Sequence, residues 1–194
     1  MALYTYSLFL LRETARGSFL DDLQGAGLIR IASDEIELLG LGFTPSINQD
    51  ADGVTILHLA PDNDTFDTFL AERGNELVAW LWSAMERAGL LYAFIPGGDD
   101  SKYYVDGVST DKLTWTQLPE LLETGTVRVV HPFMMFAARL GHSRPCERAK
   151  TLNWGLNEYR EGVGCLIGLT TEKDQGFEIL EPGSMYPQLR KEWA

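Results

Sequence analysis

Apolar and polar positions fall into two kinds of run along this chain. Residues 3–12 carry Tyr4, Thr5, Tyr6 and Phe9, with the unbroken run Leu8-Phe9-Leu10-Leu11. That predicts a strand buried on both faces and therefore central in its sheet. Residues 18–23 fit a short helix ended by Gly25 and Gly27, residues 28–32 read as extended, and residues 36–41 are a second apolar stretch. Residues 44–53, with Pro45, Asn48, Asp50, Asp52 and Gly53, have turn chemistry. Residues 54–59, Val-Thr-Ile-Leu-His-Leu, form the clearest buried strand. From residue 61 the period becomes helical. Asp62, Asn63, Asp64 and Thr65 compete as N-caps, and Phe66, Phe69 and Leu70 share one face. Leu77, Trp80, Leu81, Ala84 and Ala88 continue that face, Gly74 divides it into one long helix or two, and Gly89 falls at the C′ position. Residues 90–95 are the next strand, closed by Pro96-Gly97-Gly98.

Beyond that point the pattern is less regular. Residues 102–108 read as extended, with Asp106-Gly107 as a hairpin turn. Helices are expected over 116–123, over 132–140 with Pro132 in the first position, and over 152–159; strands are expected over 126–130, 163–169 and 177–180. A helical run, a Gly cap and a strand follow one another three times, at Ala26-Gly27-Leu28, Ala88-Gly89-Leu90 and Thr124-Gly125-Thr126. The expected fold is α+β or α/β: a single domain over residues 1–194, with a mixed sheet of roughly five to seven strands and helices packed on it. The run Leu77-Val78-Ala79-Trp80-Leu81-Trp82 is apolar all round a helix. Such a helix is either buried between layers or has one face covered by a partner. Trp82, about 200° round from Trp80, is the side chain expected to meet that partner, a homodimer included.

Composition adds a charge argument. The 194 residues hold 28 acids and 16 Lys and Arg, a net charge of −12. Phosphate neutralisation needs bases, so the balance argues against a nucleic-acid partner and against an anionic membrane surface, and it favours a basic protein partner. The acid is unevenly placed: residues 1–76 hold 13 acids against 4 bases, whereas residues 126–150 hold Glu147 against Arg128, Arg139, Arg144, Arg148 and Lys150. Cys146 and Cys165 are the two cysteines, too few for a disulfide framework. They are expected to be reduced, in a cytoplasmic protein. The opening residues lack the basic and apolar regions of a signal segment, and the run Leu8–Leu11 is too short to span a membrane.

No motif is diagnostic. Gly97-Gly98-Asp99-Asp100-Ser101-Lys102 places two acids where a phosphate loop would hold its anion, and Gly162-Val163-Gly164 misses the dinucleotide spacing. No Gly-x-Ser-x-Gly elbow exists, and Ser109-Thr110-Asp111-Lys112 lacks companion motifs. Cys146, flanked by Arg144 and Arg148 and following His142, could favour a thiolate. With His131 and Cys165 it would supply four zinc-type ligands, but at no familiar spacing. Asp62-Asn63-Asp64 with Asp67 lacks the glycine and glutamate of a calcium loop. No metal and no cofactor is therefore expected. Two functions remain. The first is a non-enzymatic acidic protein that recognises a basic protein partner, in the manner of immunity proteins and antitoxins. Its expected contacts are Asp50, Asp52, Asp62, Asp64, Asp67, Asp99, Asp100 and Trp82. The alternative is a small enzyme or sensor that binds an anionic metabolite through His131, His142, Arg144, Arg148 and Lys150, with His131 and Pro132 opening a helix whose free N–H groups hold the anion.

Overall fold

The first described element is the apolar strand that the residue pattern predicts. The computed structural model describes residues 6–49, 53–61, 65–95, 104–105, 108–109, 133–137, 158–168, 170–173 and 176–179. Strand β1 (Leu8–Glu13) leads through a 3-10 turn (Thr14–Arg16) into helix α1 (Phe19–Gly25). Then come β2 (Arg30–Ala32), β3 (Glu35–Leu38), β4 (Leu41–Gln49) and β5 (Val54–Pro61). Helix α2 (Thr65–Arg87) follows, then β6 (Tyr92–Ile95), β7 (Tyr104–Val105), β8 (Val108–Ser109) and β9 (Phe133–Ala137). The last described strands are β10 (Glu158–Arg160), β11 (Gly164–Gly168), β12 (Thr170–Lys173) and β13 (Gly176–Ile179).

Nine of these strands form one sheet in the order β10-β11-β9-β6-β1-β5-β4-β3-β2, while β12-β13 and β7-β8 form separate hairpins. The fold is α+β. Each described pair is antiparallel, so the parallel pairs that a mixed sheet would carry are not found among them, and the sheet is wider than expected. β1 is central because it pairs with β5 on one side and β6 on the other. Since β5 and β6 both run opposite to β1, they run parallel to each other, and α2 is the crossover that carries the chain past β1.

Alternation then fixes the layers. Leu8 and Leu10 pair with Leu59 and Leu57, and Leu10 pairs with Ala93. Ile36, Leu38, Phe43, Ile95, Phe133, Met135 and Leu166 share the same core, closed by Phe66, Phe69, Leu70, Leu77 and Leu81 of α2. Fully burying each such large apolar side chain stabilises the fold by about 1.5–3 kcal/mol. The hairpin β12-β13 lies against α2: a Cβ on Gly176 would collide with the Ala71 carbonyl and come within 2.7 Å of the Leu70 carbonyl oxygen. α2 is continuous except at Arg73, whose φ of −135° breaks the helical geometry beside Gly74.

Local signals end both helices. Ser18 caps α1 by accepting the Asp21 N–H, and Gly27 (φ 69°) closes it in a Schellman motif, with Leu28 N–H donating to the Leu23 carbonyl at 2.9 Å and Gly27 N–H to the Gln24 carbonyl at 2.8 Å. Gly89, at φ 76°, ends α2, and the Leu90 N–H reaches back to the Ala84 carbonyl.

Three expectations are corrected by long-range pairing. Residues 44–49 are strand, not turn. Among the described residues they pair with β5 alone, because β3 ends its pairing at Phe43, so the missing N–H of Pro45 falls on the side away from β5, where no described strand needs it. Phe133–Ala137 is a strand rather than part of a helix over 132–140. It fills the slot between β6 and β11, where Phe133, Met135 and Ala137 alternate into the core, and this outweighs the helix preference of Met and Ala. Glu158–Arg160 likewise joins the sheet edge beside β11, not a helix over 152–159. Tyr104–Val105 and Val108–Ser109 pair as a hairpin around residues 106–107, as expected. The elements expected over 116–123 and 126–130 lie outside the described residues.

At one end of β1 a fully buried guanidinium joins four elements. Arg12 points to the helix side of the sheet and is 0% exposed. It is ion-paired with Asp22 of α1. It also donates to the Gly17 carbonyl at 2.6 Å and to the Ala88 carbonyl after α2 at 3.3 Å, and its guanidinium lies 4.8 Å from the Phe19 ring centroid. The negative end of the α2 dipole adds to this attraction. Arg12→Ala should therefore destabilise the protein by roughly 3–5 kcal/mol, because it empties a buried site and strands the carbonyls that it satisfies. Asp22→Asn should cost less, since half of Asp22 is exposed. Urea unfolding of the two variants checks that order.

Candidate functional site

The sheet topology gathers exposed acids at one end. β1 finishes where β5, β6 and β11 start and where β9 and β10 finish, and α2 ends there too, since it leads into β6. Glu13 closes β1, Asp21 stands in the first turn of α1 beside Asp22, Glu86 is in the last turn of α2, and Glu161 lies in the turn between β10 and β11. All four are exposed, and among the described residues none makes an ion pair. Among the described residues, Arg16, Arg87 and Arg160 are the exposed bases in the same region, and Arg160 is paired with Glu158. From β1 to the β10-β11 turn is three to four strand spacings, roughly 15–20 Å. That span suits a macromolecular surface rather than a small-molecule pocket.

The expected partner contacts divide between the two ends of the sheet. Asp50 and Asp52 lie outside the described residues, but Gln49 and Gly53 on either side of them belong to the acidic end. Asp62, Asp64, Asp99 and Asp100 also lie outside. Their described neighbours, Pro61, Thr65 and Ile95, belong to the opposite end. Asp67 is at that opposite end, half-buried, and accepts the Tyr6 N–H at 3.4 Å, so it ties the start of β1 to α2. Glu13, Asp21, Glu86 and Glu161 were missed because only the strand pairing brings them together. The local signal was available for Asp21, as an acid in a capped first turn.

Trp82 is covered within its own chain. It is 1% exposed, and the Arg160 guanidinium of β10 covers its ring at 4.6 Å from the centroid. Arg160 is held in turn by Glu158 at 2.8 Å. Trp80, on the other side of α2, donates its indole N–H to the Leu28 carbonyl at 2.7 Å, ahead of β2. The all-round apolar helix is therefore used by the chain itself. One tryptophan is held on the β2 half of the molecule and the other on the β10 half.

The anion-binding alternative loses part of its basis. His131, His142, Arg144, Arg148 and Lys150 lie outside the described residues. The helix that would have begun at His131 and Pro132 is contradicted by strand β9, so its N–H groups at 133–137 are spent in the sheet. Cys165 is disulfide-bonded and buried in β11, not a free thiol. That overturns the expectation of two reduced cysteines and removes Cys165 from any zinc set; the other cysteine, Cys146, lies outside the described residues. Among the described residues no group of His, Cys, Asp and Glu is placed to hold a metal ion, and no helix is long and apolar enough to cross a membrane.

The face of the sheet away from α2 carries an aromatic rank. Phe94, Phe9 and His58 lie side by side across β6, β1 and β5, with ring centroids 4.7 Å and 4.3 Å apart and nearly parallel planes. Their spacing is that of the strands, so the rings stand upright and spend their faces on one another. The rank is not an open platform, because Phe94 is buried while Phe9 and His58 are half-buried. Comparison with protein-family models, with curated proteins and with solved structures finds no match to this chain.

Half-burial between Phe9 and Ser46 lowers the pKa of His58 below its ordinary 6.5 through desolvation of the charged ring. The unfolded chain thus binds a proton that the folded chain resists. The contribution is complete above pH 6.5 and is lost as pH falls from there through the lowered folded-state value. His58→Phe, which keeps the stack, should flatten the fall in unfolding free energy between about pH 8 and pH 5. Urea titrations of both proteins at the two pH values check this.

Proposed function

We propose that this chain is a non-enzymatic binding protein that recognises a basic protein partner, as immunity proteins and antitoxins do, with the acidic end of its sheet as the contact surface. The observation that carries this reading is the gathering of Glu13, Asp21, Glu86 and Glu161 from four separate segments at one end, exposed and without ion pairs among the described residues. Exposed carboxylates that outnumber the bases on a common surface speed the encounter with a cationic partner and disfavour an anionic one. The net charge of −12 supports the same choice against nucleic acid. Asp50 and Asp52 are the further contacts of this reading. Trp82, being buried, is not part of it, and no observation favours the anionic-metabolite alternative.

A cytoplasmic location drew its support from reduced thiols, and the bonded Cys165 withdraws that support. The reading holds in any compartment where a basic partner is met.

The experiment is capture on the immobilised protein at about 0.05 M and about 0.5 M salt, since screening shortens the range of charge interactions between these limits. Basic proteins should be retained at the lower salt and released at the higher. A variant carrying Glu13→Gln, Asp21→Asn, Glu86→Gln and Glu161→Gln should retain at least tenfold less, a loss of about 1.4 kcal/mol or more. Retention that ignores both salt and the four substitutions would overturn the proposal.

A further inference from the structure

We infer that two copies of this chain associate through strand β2, joining their sheets edge to edge about a two-fold axis at Ile31. The argument starts from the backbone. Among the described residues β2 is the last strand of the sheet and pairs only with β3, and all three of its residues are exposed. A two-residue loop, Ser33 and Asp34, joins Ala32 to Glu35. Such a loop closes on a hydrogen-bonded pair, and bonded and non-bonded pairs then alternate. Arg30 and Ala32 therefore turn their backbone groups inwards to β3, and Ile31 turns its own N–H and C=O outwards. In an antiparallel pairing centred on Ile31, these two groups meet the same groups of the second copy and form two hydrogen bonds.

The side chains match in that register. On the helix side an apolar row runs from Phe43 through Ile36 to Ile31, by direct cross-strand pairing. Phe43 and Ile36 are fully buried, whereas Ile31 is 37% exposed. In the paired edges Ile31 faces Ile31 of the second copy, and the row continues without a break. On the other side of the sheet Arg30 pairs loosely with Glu37, at 3.5 Å and with the arginine side chain 81% exposed. Pairing about Ile31 puts Arg30 directly opposite Ala32 of the second copy, and Ala32 is opposite Glu35. The short alanine leaves a gap of two strand spacings, about 9–10 Å, between Arg30 and the second copy's Glu35 backbone, which the two long side chains close. Glu35 makes no ion pair within its own chain among the described residues, so the second copy supplies the cation it lacks. The two-fold axis makes each contact twice, which is the self-complementarity that an isologous interface requires.

This surface is separate from the acidic end proposed to meet a basic protein. Its size favours a weak dimer, because a three-residue strand buries less than the area of a standard stable interface. The like net charge of the copies also opposes contact, and a Debye length of about 8 Å at physiological ionic strength reduces that opposition.

Sedimentation equilibrium of the full chain at about 0.15 M salt and up to about 0.5 mM protein tests the inference. The wild type should show twice the chain mass at the upper concentrations. Arg30→Glu should weaken association at least tenfold, about 1.4 kcal/mol or more, by placing two acids against each other. The double variant Arg30→Glu with Glu35→Arg restores opposite charges and should recover wild-type association within about threefold. Ile31→Pro removes an outward N–H that the monomer's ladder does not use and trims a partly exposed side chain, so the monomer should keep its fold by circular dichroism while the dimer is lost. A wild type that remains monomeric throughout, or a dimer unchanged by Arg30→Glu and by Ile31→Pro, would overturn it.

Discussion

The buried guanidinium of Arg12 is the constraint around which the layers of this protein meet. A cation removed from water must be surrounded by acceptors, and it finds Asp22, the Gly17 carbonyl and the Ala88 carbonyl on three different segments. Each acceptor belongs to a chain reversal: the turn after β1, the first helix, and the exit from α2. Apolar packing would tolerate small shifts of these segments against the sheet. Directed bonds to one fixed side chain tolerate them far less, so Arg12 sets where α1 and the end of α2 sit on the central strand. Its Nε is left without a hydrogen-bond partner among the described residues, so the carbonyls around it are shared among few donors and hold their places by geometry rather than by redundancy.

The same corner explains why acids gather where they do. α1 must return to Arg12, which brings Asp21 along with Asp22. α2 must end beside it, which brings Glu86. One carboxylate is used to neutralise the buried cation, and the neighbouring carboxylates stay in water. Stability and surface charge thus share a location for one physical reason. α2 shows the complementary arrangement, with Trp80 tied to the Leu28 carbonyl and Trp82 under Arg160. A helix that is apolar on every side is satisfied within one chain when the layers on either side of it each take one of its faces.

Much of the core was legible in the residues, because the signals involved are local. The buried runs of β1 and β5, the serine cap of α1, and the glycines after α1 and α2 each act over a few neighbours. What stayed hidden depends on distant partners. Pro45 marks a turn in most settings, and only the early end of β3 leaves it an edge where a strand accepts it. Met134 and Ala137 favour helix, and only the slot between β6 and β11 makes Phe133–Ala137 a strand. The acid surplus was plain from composition, but its grouping was not, because Glu13 and Glu161 meet at one end only through a register that links the first strand to the eleventh. Trp82 looked available for a partner until Arg160, far along the chain, was found over its ring.

The crossover over β1 has a consequence for biosynthesis. The central strand of the sheet, with its run Leu8–Leu11, is made before the others, yet both of its neighbours are made later, and the second, β6, lies beyond the whole of α2. At about 5–20 residues per second the nascent chain carries that strand with one edge open for roughly 4–16 seconds before Tyr92–Ile95 can be threaded beside it. During that interval the strand is the segment best suited to engage a chaperone or to stick to another nascent chain. Synonymous codons that slow translation within α2 should therefore lower the soluble yield of a protein whose final stability they leave untouched.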